Sequence, residues 1–250
     1  MSAGVSQEPS TWPLMAGLRV VNVARAHGAA FPEEALQFLA ELRMHNDREW
    51  FAQNKARFEA DVQAPAVAFI AQAGAKLRKL SPHVVADAKP FGGSLSRIYR
   101  DTRFSKDKSP YHTHLGIHFS HDAMGSNDAH LPGFFLHLEP GESAAYSGVW
   151  RPEPAALKAI RDAIVAKPAE WKKVTKKPVE PYGEALKRPP PGYDPSHPLI
   201  EDLKRKDFVG MISLTSKQLE GPNFTDAFVG ACRAMDPLNS FLAKAMGVPW

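Results

Sequence analysis

The chain has 250 residues, 44% of them hydrophobic, with 31 Lys and Arg against 27 Asp and Glu and a formal net charge of +4. That is enough apolar chain to bury a full core, and the slight basic surplus excludes the strong charge asymmetry of a dedicated nucleic-acid binder. No stretch approaches the ~20 consecutive apolar residues of a spanning helix, and the lone Cys232 excludes an intramolecular disulfide and a C-x-x-C redox or zinc pair. A soluble protein of a reducing cytoplasm, with no membrane partner, is expected.

Residues 1–30 lack the charged start, apolar run and small-residue cleavage site of a secretory signal. They read as a disordered N-terminal extension, and residues 31–250 as a single domain. Pro32-Glu33-Glu34 opens a helix whose apolar positions Leu36, Phe38, Leu39 and Leu42 follow helical spacing. Asn46 or Asp47 caps a second helix that carries Trp50, Phe51 and Phe58 and ends before Pro65, and a third runs from Pro65 to about Leu80. From Phe91 onward the pattern turns to strands at 95–103, 112–120, 133–139 and 143–150, divided by Gly, Pro, Asn and Asp, and the short connections imply antiparallel pairing.

Pro154 starts another helix that stops at Pro168, and 172–198, with its lysine doublets and Pro189-Pro190-Pro191, reads as a surface excursion. A helix near 198–205, a strand at 207–214 and a C-terminal helix from about Asn223 to Met246, interrupted or kinked at Pro237, complete the chain. Cys232 lies on a face of that helix and reads as a small buried hydrophobe. Helices before and after a strand-rich middle, with no βαβ alternation, predict an α+β fold. Its mostly antiparallel sheet carries N- and C-terminal helices on one face.

The richest polar chemistry lies at 97–111. Arg97, Arg100, Arg103, Lys106 and Lys108 set five cations against Asp101 and Asp107, interleaved with Ile98, Tyr99, Phe104 and Tyr111. On a strand, Arg97, Tyr99, Asp101 and Arg103 share one face, so Asp101 lies between two guanidinium groups. A carboxylate held so stays ionised and stiffens the arginine forks, leaving a free fork for a phosphate or carboxylate. The alternative is a structural ion-pair network, completed by Glu49 or Glu139; in either case loss of Asp101, packed between two arginines, is expected to be the most damaging change. Ser105 to Lys108 matches the bare S-x-x-K spacing without S-D-N or K-T-G and reads as a turn.

His112, His114 and His118 alternate with Thr113, Leu115, Ile117 and Phe119, which places the three imidazoles on one strand face. Two such histidines can ligate one metal, with His121, Asp122, His130 and His137 as further donors, but neither H-E-x-x-H nor a paired Cys/His spacing occurs. We therefore expect no tightly bound metal and no cofactor. Phe91-Gly92-Gly93-Ser94 lacks both nucleotide-binding glycine patterns and reads as a turn into a strand.

Three segments resemble a known family. They are the run from Arg97 to His114, the Asn46-Asp47-Arg48-Glu49-Trp50-Phe51 element with Asn54-Lys55, and the strand from Pro132 to Gly141. Together and in this order they resemble a widespread bacterial and fungal family of about this length, described only as conserved proteins of unknown function. Much of that family carries Lys where this chain has His112, which weakens a role for a cation there.

The expected function is that of an enzyme or binding protein for a small phosphate- or carboxylate-bearing molecule. Arg97, Arg100, Arg103 and Lys108 would hold the anion, Asp101 would orient the arginines, Asn46 would line the cleft, and Asp107, Tyr111 or His114 would handle protons. The rival is a non-catalytic module with a basic groove for nucleic acid or an acidic partner. Whether the protein is an enzyme, and its oligomeric state, are not legible in the sequence.

Overall fold

Pro32 leads into α1 (Glu33–Met44), where Glu33 and Glu34 occupy the first turn and Ala35, Phe38, Leu39 and Leu42 form the buried face. The computed structural model describes residues 31–123 and 130–250, so the extension expected over 1–30 lies outside the described residues. Asp47 caps α2 (Arg48–Arg57) by accepting the Trp50 N–H at 2.8 Å. The expected break before Pro65 is absent: a π-helical segment, Phe58–Gln63, carries the chain directly into α3 (Ala64–Leu77). Proline is tolerated in a first turn, and the register change that ends a π segment creates one within a continuous helix.

Six strands follow: β1 (Val84–Val85), β2 (Leu115–His121), β3 (Gly133–Leu138), β4 (Ala144–Val149), β5 (Glu180–Tyr182) and β6 (Phe208–Ser213). They form one antiparallel sheet in the order β1-β2-β3-β4-β6-β5. The strand expected at 95–103 is not a continuous ladder. It makes isolated bridges, Leu95 to Ile117 and Tyr99 to Tyr111, and then leaves the sheet after the Arg100 N–H bonds to the Pro110 carbonyl. Two causes act here. Pro110 has no N–H with which to continue the ladder, and the carboxylates of Asp101 and Asp107 take the N–H groups of Arg103 and Ser109, two residues on.

α4 (Pro154–Ala166) ends ahead of Pro168 as expected, but Pro168 then opens α5 (Pro168–Val174), whose last residues enter the stretch read as an excursion from 172 onward. Trp171 explains the difference. Its buried ring packs against Phe208 and Phe241, and an apolar anchor of that size overrides the polar lysines beside it. α6 (Ile200–Leu203) and α7 (Ser216–Leu219) are single turns, and α8 (Phe224–Met246) passes through Pro237 without ending.

The helices cover one sheet face. Leu115, Ile117 and Phe119 of β2, Phe134, Leu136 and Leu138 of β3, and Ala145 and Val149 of β4 join Phe69, Phe228, Cys232, Leu238 and Leu242 in one hydrophobic cluster. The alternate residues Phe135, His137 and Tyr146 stay half-buried on the uncovered face. Among the described residues no helix is long and apolar enough to cross a membrane.

One buried carboxylate ties the far end of the sheet together. Asp207 is 2% exposed, and its two oxygens accept the Arg151 N–H at 2.9 Å and the Glu184 N–H at 2.8 Å. Arg151 sits at φ 47, and Gly183 at φ 102 lies so close that an added Cβ would come within 2.6 Å of the Asp207 Cβ. Asp207→Ala would remove the charged acceptor of two part-buried backbone N–H groups, each such bond being worth roughly 1.5–3 kcal/mol. Urea denaturation should show a loss of about 3 kcal/mol, while Lys173→Ala on the exposed side of α5 stays within about 0.5 kcal/mol of wild type.

Candidate ligand site on the open face of the sheet

The loop over 101–109 resolves its charges locally. Asp101 is bidentate with the Arg103 guanidinium, with Nη2 to Oδ2 at 2.7 Å, and both side chains are exposed. Arg103 holds the Asp101 carboxyl below its usual range, first through its side chain and then through its N–H. Arg100 donates from Nη1 to Asp107 Oδ2 and, at 3.1 Å, to the Ser109 carbonyl, while Lys108 Nζ donates to the Thr102 carbonyl. Arg97 and Lys106 make no side-chain hydrogen bond or ion pair among the described residues. The expectation that Asp101 lies packed between two arginines is therefore corrected. Without a regular strand over 97–103, Asp101 serves Arg103, and Asp107 takes Arg100. Glu139 does not complete the loop either: it pairs with Arg43 at 2.6 Å.

Asn46 and Tyr111 sit beneath this loop. The Asn46 amide reproduces a strand's pairing, donating to the Tyr111 carbonyl at 3.0 Å and accepting the Tyr111 N–H at 3.1 Å. Tyr111 is buried, its ring stacked on Phe51 with centroids 4.1 Å apart, and burial pushes its phenol pKa up. Ser109, through its hydroxyl and its N–H, and then Arg100 hold the Asp107 carboxyl at about 2. Neither group exchanges a proton near neutrality. Tyr111 stays protonated and Asp107 stays charged.

His114 has a different setting. Its ring lies 4.9 Å from that of His112 and 4.7 Å from that of His137, and His137 Nε2 is 2.9 Å from Glu139 Oε2. Burial first, then His137 and His112, push His114 down to about 4, and Arg100 is close enough to add to the effect. His114 is thus neutral across the physiological range. A base this weak is a poor proton acceptor but a ready lone-pair donor.

His137 also borders a hollow of about 510 Å³ on the uncovered face of the sheet. Its walls form a run of rings: His118 against Phe135 at 4.4 Å, Phe135 against Tyr146 at 6.0 Å, Tyr146 against Tyr182 at 4.9 Å, and Tyr182 against Trp150 at 5.8 Å. Burial, then Tyr182 and Glu142, push the Tyr146 phenol up to about 12, so this ring stays uncharged near neutrality, while Glu139 and Glu142 also line the hollow. Sequence reasoning missed Phe135, Tyr146, Trp150 and Tyr182. The period-two spacing of Phe135, His137 and Glu139 was a readable sign of an uncovered face, but the hollow itself depends on pairing between β4, β6 and β5.

The fold and this face define an α+β protein with a one-sided antiparallel sheet and a ligand-sized hollow on its open side. The chain belongs to the conserved hypothetical protein family DUF2461, whose pattern matches residues 34–241. No curated protein and no solved structure shows a significant match.

Two substitutions separate the exposed pair from the half-buried pin. Asp101→Ala should leave the melting temperature at its wild-type value, because an exposed ion pair is screened by solvent. Asn46→Ala removes both bonds to the Tyr111 backbone and should cost about 2 kcal/mol by thermal denaturation. A melting loss for Asp101→Ala as large as that for Asn46→Ala would place the carboxylate in the interior.

Proposed function

We propose that the protein binds a small molecule made of a phosphate or carboxylate group and a flat apolar body. One observation carries this reading. Arg100 lies within electrostatic reach of His112 and His114, and the His114 ring meets His137, which borders the aromatic hollow, so a cationic end and an apolar wall adjoin. The hollow falls in the roughly 300–1,000 Å³ range of small-molecule sites, and a few polar groups at one end of an apolar wall suit a ligand with one charged group.

In this reading Arg100 supplies the contact, since its Nε and Nη2 make no hydrogen bond among the described residues. Arg97, Arg103 and Lys108 raise the positive potential at the entrance, Asp101 fixes Arg103, and Asn46 fixes the base of the loop. His114, with the His112 and His137 rings 4.9 and 4.7 Å away, links the Arg100 end to the hollow. Phenyl phosphate should raise the melting temperature more than inorganic phosphate does, and Arg100→Ala and Tyr146→Ala should each weaken its binding at least about tenfold, as binding to the native state requires. No shift with either probe, or equal shifts in all three proteins, overturns the proposal.

A second reading has one observation in its favour. Phe104 is 95% exposed, with the Arg103 guanidinium 5.8 Å from its ring centre and Lys106 two residues further along the chain. Cations around an exposed aromatic suit the stacking of single-stranded nucleic acid. Salt-dependent anisotropy of a labelled oligonucleotide, abolished by Phe104→Ala, would favour this interaction module; no binding at physiological salt favours the hollow.

A further inference from the structure

We infer that His114, His137 and Glu139 form a site for a first-row divalent transition-metal ion. One donor atom from each can be chosen so that all three lie within 4.8 Å of one another. Metal bonds to imidazole nitrogen and carboxylate oxygen are about 2.0–2.2 Å long, so two ligands of one ion stand roughly 3.0–3.5 Å apart. The 2.9 Å between His137 Nε2 and Glu139 Oε2 is already close to that spacing.

The sheet imposes the convergence. β2 and β3 pair Leu115 with Leu138 and Gly116 with His137, so one further step of the register sets His114 opposite Glu139. His137 and Glu139, two residues apart, project from the same face. The donors thus stand at the paired ends of two strands, a firmer base than a loop. Glu139 is oriented from outside, because Arg43 Nη2 holds its other oxygen at 2.6 Å and leaves Oε2 for the imidazoles. Conserved sites of this kind use such outer contacts to aim a carboxylate at its ion.

Two imidazoles and one carboxylate suit zinc, iron, cobalt or nickel better than magnesium or calcium. Three protein ligands also leave coordination positions free, the arrangement of catalytic sites rather than closed structural ones. Because His137 and Glu139 both line the hollow, those positions face the space assigned above to a small molecule. Two arginines oppose a cation here, and a carboxylate offsets part of each charge: Glu139 that of Arg43, and Asp107 that of Arg100, whose Nε and Nη2 are left for the ligand's anionic group.

A second trio, His83, His121 and Asp122, makes the contrast clear. There His121 Nε2 lies 2.7 Å from the Pro249 carbonyl, and His121 Nδ1 accepts the Ala123 N–H at 3.0 Å. Both ring nitrogens are committed to the backbone, so this trio fastens the C-terminal end of the chain instead of holding an ion.

The test uses the full chain, stripped with chelator and titrated with cobalt(II) alone in phosphate-free buffer. One equivalent should bind with a change in visible absorption. His114→Ala and Glu139→Gln should each weaken binding by about a hundredfold and Arg43→Ala by about tenfold, while His83→Ala leaves it unchanged. A cobalt-soaked crystal of the unaltered protein should show an anomalous peak between His114 and His137, which covers the case in which a variant fails to fold. No binding, binding insensitive to His114→Ala, or a peak at His83 and His121 overturns the inference. Because no anion is present, cobalt binding without phenyl phosphate binding would sink only the function proposed above.

Discussion

A slip of one residue between β2 and β3 would turn Phe134, Leu136 and Leu138 out of the core and bring His137 and Glu139 into it. Every group of interest depends on that register. α3 and α8 cover only one face, so the alternate side chains of the same strands are free to carry imidazole, phenol and carboxylate. The energy that fixes the register comes from the buried set: Phe119 and Phe69 meet edge to face at 6.4 Å, and Phe228 packs on both. The chemistry on the open side is positioned by the packing on the closed side.

The charged loop shows why charge surplus alone is a weak guide. Five cations and two acids in one run invite the picture of a cluster converging on a ligand. An aspartate two residues before an arginine or a serine, however, satisfies itself locally, as Asp101 does with the Arg103 N–H and Asp107 with the Ser109 N–H. Those short loops need no buried environment. The histidine group differs because its members come from adjacent strands, with bulky neighbours and partial burial.

How far the sequence could be read follows from the range of the interactions involved. The helix face at Phe38, Leu39 and Leu42 and the alternation from Leu115 to Phe119 are set by residues within a few positions of each other and fold as read, and of the two cap candidates Asp47 takes the role while Asn46 pairs with Tyr111. The one-sided sheet was legible for the same reason. The continuous helix through Pro65 was not, because a π segment has no local signature in the residues that form it. Trp171 packs against Phe208 and Phe241, both far along the chain, and no pattern of its neighbours announces that contact. The pairing of His114 with Glu139 lay hidden likewise, since nothing in either segment states the register between them.

The short strand β5 forms the outer edge of the sheet beyond β6 and contributes Tyr182 to the aromatic wall. Its middle residue is Pro181, which has no N–H to offer a further strand, and Glu180 beside it is exposed. Short length, proline and an exposed charge are the means by which an open edge avoids templating another chain. The rim of the hollow is thereby kept from becoming a seam between molecules, and an apolar, ring-lined surface can stay open to small solutes without inviting strand-by-strand aggregation.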